Sequence, residues 1–141
     1  MSAKSYLNRA RALKLSIKAL ERKRQEFEAL KTAISSPMRD GDPVQTSKSG
    51  EAPFARVVEN IAETEELLAL RIGEYVDTLE QMAGEIRQLE NPVHVEILTR
   101  RYLDFQRYER IAVDMHYSFD YVKNLHGKAL RAFEEKYPEK F

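Results

Sequence analysis

The sequence predicts an all-α protein: a long antiparallel coiled-coil helical hairpin followed by a C-terminal helix-turn-helix module. Three observations carry that expectation. Apolar residues recur with a period near 3.5 along residues 6–34 and again along 54–89, with a Gly- and Pro-containing stretch between them. The two segments have opposite charge, since residues 1–34 hold nine basic and three acidic side chains while residues 51–92 hold three basic and ten acidic ones. Finally, residues 110–133 place a small residue, a turn and a capping serine at offsets suited to two short helices packed across each other.

Length and composition set the outer limits. A chain of 141 residues is one domain, or one small domain with an appendage. Charged residues make up 33% against 43% hydrophobic, with no Trp and 5 Gly, a balance typical of long exposed helices. The absence of Cys removes thiol catalysis, disulfides and the usual zinc knuckles, and it suits a reducing compartment. The opening MSAKSYLNRARALKL has no long apolar run, and no segment approaches the roughly 20 apolar residues of a membrane span. A cytoplasmic protein of a bacterial host, with no membrane contact, is expected.

In the first helix, Tyr6, Ala10, Leu13, Ile17 and Leu20 form a coiled-coil seam that continues through Arg24, Phe27, Lys31 and Ile34. No Gly or Pro interrupts it, so the helix reaches about 50 Å at 1.5 Å per residue. Lys14, Lys18, Arg22 and Lys23 lie on its outer face, beside an acidic partner helix. Residues 35–53 hold three of the five prolines and two of the five glycines and are expected to be a flexible linker. The second helix repeats the period in Phe54, Val58, Ile61, Glu65, Leu68, Ile72, Tyr75, Leu79, Met82, Ile86 and Leu89. Gly73 and Gly84 each cost it about 1 kcal/mol relative to Ala. Asn91-Pro92 ends it, because a residue preceding proline is pushed out of the helical region.

Antiparallel pairing has one favoured register. It sets Ile17 with Ile72, Leu20 with Leu68 and Leu13 with Tyr75, and it brings Arg24 against Glu65, the non-apolar position of the second seam. A slip of one heptad strands both charges against apolar layers, so Arg24 and Glu65 are the expected register pair. Tyr75, Val76, Leu79 and Met82 give the second helix apolar width beyond one stripe, which suits a homodimer through the long helices. The expected division is residues 1–92 for the hairpin and 93–141 for the helix-turn-helix.

In the second domain a short helix from Val93 offers Val95, Leu98, Tyr102 and Phe105 as packing beneath the helix-turn-helix. Ala112 supplies the small residue in the next helix, and His116 falls where the chain must turn through a left-handed conformation. Ser118 is the N-cap of the last helix, with Val122, Leu125, Ala129 and Leu130 on the inward face. Phe119, Asp120, Lys123, Asn124, Gly127 and Lys128 point outward.

The string IAVDMHYSFDYVKNLHGKAL, preceded by VEILTRRYLDF, resembles the C-terminal promoter-reading region of sigma factors and the phage and mobile-element regulators of ArpU or RinA type. The resemblance covers roughly the last third of the chain. It implies a DNA-binding transcriptional regulator whose last helix enters duplex DNA, with Phe119, Asp120, Lys123 and Asn124 as the reading positions. Lys128 and Arg131 then turn toward the DNA backbone or RNA polymerase, and Arg107, Arg110, Ser118 and Tyr121 complete the expected DNA-binding set. The alternative is a coiled-coil adaptor whose helix-turn-helix docks protein, either RNA polymerase or a packaging component. No Gly-rich phosphate loop occurs, and His94, His116 and His126 match no metal template and read as turn or surface residues. No cofactor, no metal and no enzymatic activity are expected.

Overall fold

The computed structural model describes residues 1–35 and 47–141, with side-chain surroundings for 1–35 and 51–141. These residues are helical throughout their regular structure: α1 (Ala3–Leu7), α2 (Arg9–Ser35), α3 (Ser47–Arg87), α4 (Pro92–Leu98), α5 (Tyr108–Met115) and α6 (Phe119–Lys136). A π-helical turn, Thr99–Leu103, extends α4, and a 3-10 turn, Pro138–Lys140, comes after α6. Of the expected linker, residues 36–46 lie outside the described residues. The remainder departs from expectation, because Ser35 closes α2 and residues 47–53 already belong to α3. Pro53 is the seventh residue of α3, where its ring both removes a backbone bond and crowds the preceding turn, a cost of about 3 kcal/mol that the helix carries.

The chain forms two compact units, Met1–Lys14 with Glu74–Phe141, and Leu15–Gly73. The C-terminal unit recruits α1, the start of α2 and the end of α3. Burial explains the recruitment. Ala3, Leu7 and Ala10 are wholly inaccessible and join Met82, Ile86, Ile97, Leu98, Ile111, Val122, Ala129 and Phe133 in one core. Each large member contributes about 1.5–3 kcal/mol relative to exposure. Tyr6 meets the Phe133 ring at 5.9 Å and the Phe141 ring edge-on at 5.8 Å.

Polar groups pin the same corner. The Tyr6 hydroxyl lies 2.7 and 2.8 Å from the two Glu85 carboxylate oxygens, and Lys140 Nζ lies 2.8 Å from Glu85 Oε2. The Tyr137 hydroxyl donates to the Glu85 carbonyl at 2.7 Å, and the Ala3 N–H donates to Glu134 Oε1 at 3.1 Å. Burial and the neighbouring carboxylate raise the Tyr6 phenol above its ordinary value, while the Lys140 ammonium is raised chiefly by its bonds to Glu85 and Tyr6.

Among the described residues of the Leu15–Gly73 unit, those buried are Ile17, Val57, Ile61, Thr64 and Leu68. The expected seam is thereby corrected: Val58, Glu65 and Ile72 of α3 and Ile34 of α2 are exposed. The inward face lies one residue earlier than expected at two of them, with Val57 and Thr64 buried instead. Thr64 tolerates burial because its hydroxyl donates to the Asn60 carbonyl at 2.7 Å within α3. Arg24 is also exposed. Among the described residues no ion pair joins Arg24 and Glu65, although both line one groove with Glu21, Leu68, Ala69 and Ile72.

Candidate functional site

The outward face of α6 is positioned by a chain of local decisions that begins at Asn91. Its side chain accepts the Val93 N–H at 2.9 Å and Pro92 occupies the first turn, so α4 starts at Pro92, with four residues between it and the end of α3 at Arg87. After the π-helical turn, Phe105 takes φ 58°, a left-handed conformation that is costly for a bulky residue. Several contacts hold it. Lys14 Nζ sits 4.5 Å from the Phe105 ring centroid, and Arg101 Nη1 donates to the Gln106 carbonyl at 3.0 Å. The Arg101 guanidinium also covers the Tyr108 ring at 4.3 Å, which fixes the first residue of α5.

α5 buries Ile111 and Ala112 and ends at His116, with φ 60° and ψ 40°. The Tyr117 N–H donates to the Ala112 carbonyl at 2.9 Å and the His116 N–H to the Val113 carbonyl at 3.3 Å. That is the paired bonding of a Schellman cap, which satisfies the Ala112 and Val113 carbonyls of α5 within three residues of the next helix. Ser118 then caps α6: its hydroxyl accepts the Tyr121 N–H at 3.2 Å. Val122, Leu125, His126, Ala129 and Phe133 are the buried face.

The positions expected to read DNA are all exposed: Phe119, Asp120, Lys123 and Asn124, with Lys128 and Arg131 farther along α6. Phe119 and Lys123 are brought together, the ammonium lying 5.4 Å from the ring centroid. Tyr121 is 47% exposed and stands edge-on to Tyr117 at 4.8 Å. Arg107 is exposed and precedes α5 without making a side-chain cap. Arg110 is paired, its Nε lying 3.2 Å from Asp114 Oδ2. Asp114 also receives Arg100 at 3.1 Å and Gln106 at 3.3 Å, so this carboxylate ties α5 to the turn before it. Arg24 and Glu65 lie outside this set, in the Leu15–Gly73 unit.

His126 corrects the expectation of a turn or surface residue. It is 6% exposed, with Nε2 2.6 Å from the Tyr102 hydroxyl and Nδ1 3.3 Å from the Tyr108 hydroxyl. Burial, reinforced by the positive charges of Arg101 and Lys4, lowers its pKa to about 4, while burial raises the Tyr102 phenol above its ordinary value. The signal was present in the spacing, because position 126 completes the set 122, 125, 126, 129 at helical offsets. The two tyrosines supply the partners that an imidazole needs in order to occupy an apolar stripe. His116 is the expected turn residue, and His94 is half-buried.

Among the described residues no three His, Asp or Glu side chains are grouped to hold a metal, and no helix is long and apolar enough to cross a membrane. Compared with protein-family models, curated proteins and solved structures, the chain matches none.

Proposed function

We propose that α5 and α6 form a helix-turn-helix whose second helix enters the major groove of duplex DNA, and that the protein is a non-catalytic transcription regulator of phage or mobile-element type. The observation that carries this reading is the tight connection. The cap at His116 and the N-cap at Ser118 leave α6 exposing Phe119, Asp120, Lys123 and Asn124 in its first two turns. Residues at the start of a recognition helix are the ones that contact base edges. In this arrangement Lys123 donates to guanine and Asn124 forms two bonds with adenine, each worth about 1–3 kcal/mol of discrimination. Arg107, Arg110 and the Ser118 end of α6 meet phosphates and set orientation. Lys128 and Arg131 face the DNA backbone or RNA polymerase. The helices α2 and α3 pair as an antiparallel hairpin.

Selection of bound duplexes from a random pool by the whole protein tests the reading, and the expected result is a defined motif. Lys123→Ala with Asn124→Ala abolishes that selectivity while the helical circular dichroism signal is retained. An unchanged motif and affinity in the double variant removes α6 as the reading helix. A specific observation favours a second reading, an adaptor that docks protein: Val113, Phe119 and Tyr121 are 67%, 40% and 47% exposed. Large exposed apolar and aromatic side chains suit a protein contact as well as a base contact. A pool that returns no motif leaves the adaptor as the reading.

A further inference from the structure

Phe119 is a large aromatic residue at the first position of α6, and its side is open to solvent. The rest of the ring is held. Tyr108 stands edge-on to it at 6.3 Å, and Tyr108 is itself covered by the Arg101 guanidinium at 4.3 Å and set 5.2 Å from the buried His126 ring. Lys123, four residues on and so on the same side of the helix, brings its ammonium to 5.4 Å from the Phe119 centroid. Phe119 is therefore a fixed apolar surface with a cation beside it, anchored to the core through Tyr108. A side chain ordered in advance loses little freedom when it makes a contact.

We propose that Phe119 selects thymine through the 5-methyl group of the base, with Tyr108 as the residue that positions it. The proposal rests on α6 entering the major groove of duplex DNA. The chemistry of that groove chooses the contact. Base edges there present hydrogen-bond donors and acceptors, and the thymine methyl is the one apolar group among the four ordinary bases. A phenyl ring has no polar atom to offer the other edges, so it gains against thymine and against no other base.

Lys123 fixes where that thymine lies. Residues four apart are separated by about 6 Å of rise along a helix, close to two base steps of about 3.4 Å. The thymine is therefore expected within about two base pairs of the guanine that Lys123 takes. Tyr121 is exposed as well, but it lies about 200° round α6 from Phe119 and belongs to the opposite flank. Asp120, about 100° round, is an acceptor suited to a cytosine amino group, which leaves the charge on Phe119's own flank positive.

The test takes the duplex motif selected by the whole protein and replaces each of its thymines in turn by uracil, which pairs identically and lacks only the methyl. For the thymine near the guanine, the unmodified protein is expected to bind the uracil duplex about fourfold more weakly, the effect of one methyl left in water. Phe119→Ala binds the two duplexes equally while keeping the preference for guanine, and Phe119→Leu, apolar and longer than alanine, recovers discrimination. Tyr108→Leu lowers the thymine discrimination without touching the guanine preference, a split that general loss of folding does not produce. If it discriminates fully, the positioning role of Tyr108 falls. A motif whose uracil duplexes bind as tightly overturns the proposal and leaves α6 as the reading helix. A thymine preference that survives Phe119→Ala also overturns it and moves the contact to another side chain. Selection that returns no motif overturns the proposal together with the DNA reading, and the exposed ring is then a protein contact.

Discussion

His126 shows how a polar side chain is accommodated inside a helical core. Its ring lies 5.6 Å from Tyr102 and 5.2 Å from Tyr108, and both nitrogens have a phenol partner that can donate or accept, so burial, with the positive charges of Arg101 and Lys4, is what disfavours the charged ring. With a folded pKa of about 4 against an ordinary 6.5, the unfolded chain binds the proton more tightly than the folded one. The folded state therefore incurs no penalty above pH 6.5 and loses stability as pH falls from 6.5 toward 4. One pKa unit corresponds to 1.36 kcal/mol, so about 2 kcal/mol is expected to disappear between pH 7.5 and 5. Urea denaturation of the protein and of His126→Gln over that range checks it: the variant has the shallower slope. Equal slopes would mean that the ring protonates as readily inside the fold as outside. Neither the burial nor the partners of this residue could be read from composition, because histidine is common both on surfaces and in cores; only its place in the inward spacing of α6 pointed to the inside.

Elements were the best-written level of the sequence. The cap at Ser118, the turn at His116 and most of the inward face of α6 are local, set by one or a few side chains acting on the nearest backbone, whereas α3 stops at Arg87, short of the expected stop at Asn91-Pro92. Such features yield local predictions. His116→Gly relieves the left-handed strain and raises stability by about 0.5–1 kcal/mol, whereas Ser118→Ala leaves the Tyr121 N–H without its acceptor and costs about 1 kcal/mol. Thermal melts of the two variants should move in opposite directions, and a shared direction would show that the connection is not governed by its caps. The face of α3 was less legible for a definite reason. A 3.5-residue repeat drawn through Val58, Ile61, Glu65 and Leu68 alternates between two neighbouring ridges, and hydrophobicity alone does not say which ridge the chain covers. Thr64 was hidden as well, because its hydroxyl is satisfied inside its own helix and leaves no trace in a polarity pattern.

At the scale of the whole molecule, the N-terminal helix proved least predictable, since nothing in the period of Tyr6, Ala10 and Leu13 distinguishes a coiled-coil arm from one edge of a C-terminal core. The observed burial separates them. Leu7 is inaccessible while Leu15, two turns on, is 59% exposed. Leu7→Ala is expected to cost about 2–5 kcal/mol, and Leu15→Ala less than about 0.5 kcal/mol. Chemical denaturation decides it, and comparable losses would return the segment to the arm. The contact between the Ala3 N–H and the Glu134 carboxylate joins positions 131 apart in sequence. Closing so long a loop has an entropic cost that local helix contacts do not repay, and folding slows as contacts become more distant in sequence. Synthesis adds an order of events. Ala3, Leu7 and Ala10 leave the ribosome well before α6, and their apolar surface is not fully covered until Ala129 and Phe133 have emerged. The C-terminal unit is therefore completed late, and stalled chains that lack α6 expose a helix whose core partners have not yet been made.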